Sequence, residues 1–370
     1  MGKIKININI VSLKSKEKRQ PISSFFMNPN VSAICKTVLT LLVVFVLVSC
    51  GHNRFDIDTS YVSIEPVTFK RLDKDLRSVD AQNITAKTPQ LEKTYGMFYN
   101  RFIGSIINQG GVGDSLYTEK LLGFLTDKDM STVNADVEKN YSDNDVQLIG
   151  EALTDAMKRY QALFPKKQAP KQYVTFMSGF NYNIVYVDST LAIGLEMYLG
   201  RNYKYYNALQ LPNFRTRTMT REYIAPDAVR GLVLSEFDNS DVVNNLLHHM
   251  IFYGKVFYLC DALLPDVHDS LKLGYTRSQL EYCDTYEKNL WGFFVKDDKL
   301  YANDLKIVSE YTSDGPFTGS ISKECPPRIA MWLGRQIVRS YMEHNENVTF
   351  EELMNEKDAQ KILSRSKYKP

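Results

Sequence analysis

An apolar run from Val38 to Val48, preceded by Lys36 and closed by Ser49-Cys50, decides where the folding part of this chain begins. Its eleven apolar or near-apolar residues are too few to cross a bilayer as a helix, which takes about 20. A cation before a short apolar run and a small residue after it form the pattern of a secretory signal. Residues 1–49 are therefore expected to be removed. Counted from Met1 the leader has 49 residues, against roughly 15–30 for a secretory signal. Counted from Met27, which opens Met27-Asn28-Pro29, it has 23, and Met27 is the expected start.

The residues Leu47-Val48-Ser49-Cys50 resemble a bacterial lipobox, in which a signal peptidase cuts after the position of Ser49 and the cysteine is acylated. Cys50 is thus the expected lipidation site, and several acyl chains on one residue anchor a protein stably where one chain is marginal. Residues 50–60 read as a lipidated polar tether without the acidic run of surface-exported lipoproteins, so the chain is expected at the outer membrane, facing the periplasm.

Removing the leader changes the charge. Of 45 basic and 43 acidic side chains, the leader holds seven and one, leaving 38 against 42 and a formal charge of −4. That balance offers no electrostatic footprint for nucleic acid. Cys35 leaves with the leader and Cys50 takes lipid; Cys260, Cys283 and Cys325 remain. An odd number rules out a full disulfide framework, and buried free thiols are expected.

Along residues 61–370, read as one domain, Val62–Phe69 alternates as a strand and Arg71–Leu76 opens a charged helix. Residues 88–108 read as a helix with Leu91, Tyr95, Phe98, Phe102 and Ile106 on one stripe, broken by Gln109–Asp114. Residues 144–163 repeat the pattern through Val146, Ile149, Leu153, Met157 and Tyr160, up to Pro165. The period then changes: Tyr173–Ser178 reads as a strand, and Asn183–Val187 with Leu191–Leu195 as a hairpin around Asp188-Ser189-Thr190. From 226 onward the pattern is helical over about 226–237, 241–264, 275–294, 327–345 and 350–364, the last with a Thr349/Glu352 capping box. The expected fold class is α+β: a predominantly helical single domain around a small central β-sheet.

Several stretches carry a family resemblance: Met177–Asn183, Ala192–Gly200, Leu246–Ile251 with Tyr253–Lys255, Pro327-Arg328, Trp332–Met342, Asp358–Leu363 and Ser366–Pro370. Together they resemble the gliding motility lipoprotein GldB family of Bacteroidetes across nearly all of the mature chain. The resemblance implies a cell-envelope lipoprotein with protein partners in an envelope assembly, linked in some members to gliding and type IX secretion. It extends distantly to zinc peptidases with a zincin-like fold.

The residues test that extension. A zincin needs His-Glu-x-x-His, because side chains four apart on a helix share a face and grip one ion. The five histidines are His52, His248, His249, His268 and His344; none precedes a Glu and no two are four apart. His248 and His249 point about 100° apart on a helix. Tyr253-Gly254 stands where the peptidase relatives would place a Glu-Gly pair. The metal site reads as degenerate, and no cofactor is expected. A looser set from His249, His268 and Glu196 or Asp284 is the alternative, giving a hydrolase with an unconventional metal site. The pocket candidates are Glu196, His248, His249, Tyr253 and Asp284.

Other chemistries are weaker. Met177-Ser178-Gly179 lacks the first glycine of a nucleophile elbow. Cys283 as a thiol nucleophile competes with a buried cysteine. Gly110-Gly111-Val112-Gly113 matches no nucleotide loop. Asp73/Asp75 and Asp297/Asp298 read as solvated faces. Tyr198, Tyr203, Tyr205 and Tyr206, with Tyr253, Phe257 and Tyr258, suit either a peptide- or glycan-binding groove or a core. Trp332 and Gly334 suggest close packing, and Arg328, Arg335 and Arg339 suggest ion pairs. The reading favoured is a non-catalytic, partner-binding lipoprotein.

Overall fold

Strands β1 (Phe69–Arg71), β2 (Gln172–Phe176), β3 (Ile184–Val187) and β4 (Thr190–Gly194) form one sheet in the order β1-β2-β4-β3. This is a computed structural model, and it describes residues 54–237 and 245–370; the leader, Ser49, Cys50 and His52 lie outside the described residues. β1 and β2 pair in parallel with Phe69 opposite Tyr173, and β2 and β4 in parallel with Gln172 opposite Thr190. β3 returns antiparallel to β4, through a turn in which Asp188 and Ser189 both have positive φ. That is the geometry a two-residue hairpin favours, since it matches the strand twist.

β2 and β4 are apolar on both faces because the sheet separates two cores. Val174, Phe176 and Ala192 point into one, with Tyr95, Phe98, Tyr99 and Phe102. Tyr173, Leu191 and Ile193 point into the other, with most of the remaining helices. The first core is roofed by α1 (Ile84–Tyr95), a short helix Met97–Arg101 and a π-helical turn Phe102–Ile106, followed by α2 (Tyr117–Thr126). The five residues of the expected stripe, Leu91 to Ile106, are all buried there.

On the other side lie α3 (Lys128–Asn140) and α4 (Asp143–Leu163), then α5 (Ile224–Glu236), α6 (Leu246–Leu263), α7 (Arg277–Val295), α8 (Leu305–Thr312), α9 (Ile329–His344) and α10 (Ala359–Ser366). A Ser142/Asp145 capping box starts α4, and its stripe from Val146 to Tyr160 is buried as expected. α6 is almost wholly buried, with apolar residues on every side and Lys255 and Asp261 as buried charges, so it lies inside the helical layer. It crosses α9 where Gly254 meets Gly334. A Cβ on Gly334 would lie 1.8 Å from the Met250 carbonyl oxygen, and one on Gly254 2.3 Å from the Gly334 carbonyl oxygen. Only hydrogen fits between these backbones. Trp332 is buried beside the crossing.

The arginine expectations hold. Arg335 grips Asp261 through two nitrogens, each at 2.8 Å, and reaches Asp269 at 2.5 Å. Lys272 joins both carboxylates at 2.8 and 3.0 Å, and Arg339 approaches Asp261 at 3.5 Å. Arg328 pairs with Asp314 at 3.5 Å.

Some expectations fail. Val62–Thr68 is not a strand: Pro66 has no N–H, and the Val67 N–H goes to Thr154 Oγ1 at 2.8 Å rather than to a neighbouring strand. Residues 350–364 form two helices, Phe350–Asn355 and α10. The buried Lys255 ammonium takes the Met354 and Glu356 carbonyls at the break, and Asp358 caps the second helix. α2, α3 and α8 are helices beyond those expected from the sequence. Asp73 is not solvated; it is buried, paired with Arg71 at 2.7 Å, and accepts a hydrogen bond from Thr175 at 2.5 Å. Arg54, placed by sequence in the tether, donates to the carbonyls of Met342 (2.5 Å), Asn345 (3.4 Å), Glu346 (3.1 Å) and Val348 at the end of α9. Phe55 follows it onto Tyr258, with ring centroids 5.2 Å apart.

Candidate functional site: an arginine-rimmed cleft

The loop after β2, Met177–Asn183, is wound around one side chain. Glu196, two residues past the end of β4, accepts at Oε1 from the Ser178 N–H (2.6 Å), the Ser178 hydroxyl (2.6 Å) and the Phe180 N–H (3.2 Å). Ser178 Oγ in turn accepts from the N–H groups of Asn181 and Tyr182 at 3.0 and 2.9 Å. Gly179 and Phe180 both adopt positive φ to make the loop this tight, a conformation that costs a non-glycine residue and recurs at functional sites. Glu196 is fully buried, and burial raises its carboxyl above the ordinary range against the pull of Ser178 and Phe180.

Beside this loop lies a cleft of about 190 Å³. Asn181, Asn183, Met197 and Tyr198 line it from the carboxyl ends of β2 and β4, the position where open sheets with parallel strands commonly bind ligands. Phe214, Arg215, Thr218, Met219 and Tyr223 form a second wall, Asp227 and Arg230 of α5 a third, and Gly274, Asp314 and Arg328 the last. The deep polar groups are committed to one another. Tyr198 donates to Asp227 Oδ2 at 2.9 Å, Arg230 grips Asp227 Oδ1 at 2.5 Å, and Asn183 Nδ2 stands 3.3 and 3.4 Å from the two acceptors. Burial opposes the charge on Arg230, but Asp227 holds its guanidinium above the ordinary value. Arg217 lies behind the rim, with its Nη atoms on Gly274 O (2.8 Å) and Gln279 Oε1 (3.3 Å) and its Nε buried without a hydrogen bond.

The sequence candidates fall elsewhere. Glu196 shapes the cleft's loop but does not border the cleft. His248 is buried in the first turn of α6, where burial pushes it down to about 4, so it is neutral at pH 7. His249 follows it, with ring centroids 6.4 Å apart, and Tyr253 packs on Phe252 at 5.3 Å. Asp284 stands exposed on α7, and His268 caps a short helix by accepting from the Ser270 N–H. Among the described residues no three His, Cys, Asp or Glu side chains are grouped to hold a metal ion. Cys260, Cys283 and Cys325 are free and buried, and burial pushes Cys260 and Cys325 up to about 12, far from a reactive thiolate.

Of the tyrosine cluster only Tyr198 reaches the cleft. Tyr206 donates to the Glu196 carbonyl at 2.6 Å, and Tyr203 and Tyr205 hydrogen-bond Asp136 and Asp129. Sequence reasoning missed Arg215, Tyr223, Asp227 and Arg230. A signal was present in Arg215-Thr216-Arg217-Thr218-Met219-Thr220-Arg221, where three arginines fall within seven residues.

A family model described as Gliding motility protein GldB matches residues 52–370. The chain belongs to the GldB family. Membership points to a gliding-motility-related lipoprotein of the cell envelope. No curated protein and no solved structure gives a significant match. Three of the stretches that carry the GldB resemblance, Met177–Asn183, Ala192–Gly200 and Pro327-Arg328, meet at the cleft. No helix among the described residues is long and apolar enough to cross a membrane.

Proposed function

We propose that this GldB-family chain is held by acylated Cys50 on the outer membrane, facing the periplasm, and that its folded part binds a partner of an envelope assembly through the arginine-rimmed cleft. The observation that carries this reading is the state of the cleft's carboxylates. Both oxygens of Asp227, the buried carboxylate of the lining, are engaged by Arg230 and Tyr198, so that group is committed to the protein, while Asp314 stands half exposed 3.5 Å from Arg328. Thr218 donates its hydroxyl to the Arg215 carbonyl at 3.0 Å, which removes the one lining side-chain alcohol of aliphatic type. Catalysis by proton transfer needs a base within hydrogen-bond reach of its substrate. Recognition needs only fixed donors and a shaped wall, and those are in place.

The test is a photoreactive phenylalanine analogue at Phe214, in the cleft wall, and at Leu148, exposed on α4. Irradiation of intact cells should give a discrete crosslinked species from position 214 and none from 148; identical patterns would overturn the cleft as the binding face. Stoichiometric zinc in the purified chain, lost in His249→Ala, would overturn the non-catalytic reading in favour of a metal hydrolase.

A further inference from the structure

The cleft differs from a solvated charge cluster in what it leaves unpaired. Tyr223 is only 7% exposed, and its ring is packed in the larger core. It lines the cleft, yet its hydroxyl has no hydrogen-bond partner among the described residues. A phenol held this way, with a fixed ring and an uncommitted hydroxyl, is free to donate to whatever enters the cleft. Arg215, at the rim, makes no side-chain hydrogen bond or ion pair among the described residues. Arg328 spends one Nη on the Leu273 carbonyl at 2.8 Å and stands 3.5 Å from Asp314, leaving its other Nη uncommitted. Its backbone sits at φ +57°, at the start of α9, so its direction is set by an unfavourable conformation that the surrounding structure maintains.

Three arginines against Asp227 and Asp314 leave the lining net positive, and Arg217 adds a further cation behind the rim, so the cleft suits an anion. A phosphate dianion would place a second negative charge beside the two aspartates, and like charges at short range are unfavourable. The cavity, about 190 Å³, is smaller than the roughly 300–1,000 Å³ of drug-sized sites, so it accepts one terminal group rather than a whole large ligand. Planar guanidinium forks match a carboxylate in two parallel hydrogen bonds.

We propose that this cleft is a carboxylate-binding site, with Arg215, Arg328 and the Tyr223 hydroxyl as the donors. The assignment rests on the partner-binding reading of the cleft and names the chemistry it recognises. The carboxylate has two sources to be separated: a small free acid, or the end of a peptide.

The experiment is a thermal-unfolding titration of the purified full-length chain in detergent, at constant ionic strength and pH 8. The probes are acetate, methyl acetate, N-acetyl-Ala-Ala as the free acid and as the amide, and inorganic phosphate. Binding to the folded state alone raises Tm with ligand concentration. Acetate or the peptide acid should raise Tm saturably by ~2–4 °C, the ester and amide should not, and phosphate should act only at higher concentration. A response to acetate alone supports the site as one for a small acid, and a response to the peptide acid supports it as one for a peptide end. Arg215→Ala should shift half-saturation upward about tenfold without moving the ligand-free Tm, since its side chain holds nothing else. Tyr223→Phe should weaken binding less. An equal response to the amide, tighter phosphate binding, no response to any carboxylate, or an unchanged Arg215→Ala titration would each overturn the assignment. If no carboxylate binds while position 214 still captures a partner, the carboxylate assignment falls and the partner-binding reading stands. Carboxylate binding without capture gives the reverse.

Discussion

His248 shows what burial does to a single titratable side chain. Its folded-state value of about 4 lies below the unfolded 6.5, so between those values the unfolded chain binds the extra proton. The stabilising contribution is therefore complete above pH 6.5 and is lost as pH falls toward 4, by at most about 3 kcal/mol. Urea midpoints between pH 7 and 4.5 should show this loss, and His248→Phe should flatten it; an unchanged slope in the variant would refute the attribution. Asp261 is the opposite case, a carboxylate that ties Arg335, Lys272 and Arg339 together in the interior. Asp261→Ala leaves Arg335 and Lys272 with Asp269 as their remaining carboxylate, so the loss should fall below the ~3–5 kcal/mol of a buried charge deprived of its whole partner, measurable by equilibrium denaturation. Residue chemistry was only partly legible in the sequence. The arginines of α9 could be read as ion-pair formers because a cation on an apolar helix needs a partner. Asp73 could not be read as buried, because its partner Arg71 and its donor Thr175 come together only when β1 lies beside β2.

At the scale of elements, α6 and α9 depend on two glycines. Gly334→Ala places a methyl group on the Met250 carbonyl, and since backbone cannot swing aside like a side chain, the helices must separate. Overpacking of this kind costs about 1–3 kcal/mol, and Gly254→Ala should behave alike. Gly123 on α2 is the control: nothing lies within 4 Å of its added Cβ, so Gly123→Ala should stabilise by about 0.5–1 kcal/mol through helix propensity. A smaller urea midpoint for Gly123→Ala than for the parent would contradict this. Long periodic helices such as α4 were legible because their apolar stripe and terminal caps agree. α2 and α3 were not, because each has only two buried residues to mark a face. Their signal was the Asp127 cap between them, which accepts from the Met130 N–H at 2.9 Å. The break in 350–364 was hidden for another reason: it depends on Lys255, about a hundred residues earlier in the chain.

Across the whole molecule, the sheet joins a small N-terminal core to a large helical one, and the cleft opens at its carboxyl edge. The sheet's existence was legible in the change of period at 173–195. Its parallel partner β1 was not, because three residues separated from β2 by about a hundred carry no local signature. The same distance hid the cleft, whose walls come from four separate segments. The anchor is testable at this scale. Cys50→Ser should abolish incorporation of labelled palmitate and move the chain from the membrane fraction to the soluble one; retention on the membrane would reject Cys50 as the anchor.

Arg54 stands four residues after that cysteine, its guanidinium seated on the carbonyls that close α9. If Cys50 is the anchor proposed above, any pull from the membrane enters along the covalent chain. Here it would meet the fold first at this clasp and pass into α9, the helix locked to α6 through the glycine crossing and to Asp261 through Arg335. On that reading the clasp would act as a strain relief, delivering tension to α9 ahead of β1, the short edge strand that lies next along the chain and that a steady pull would otherwise peel from the sheet.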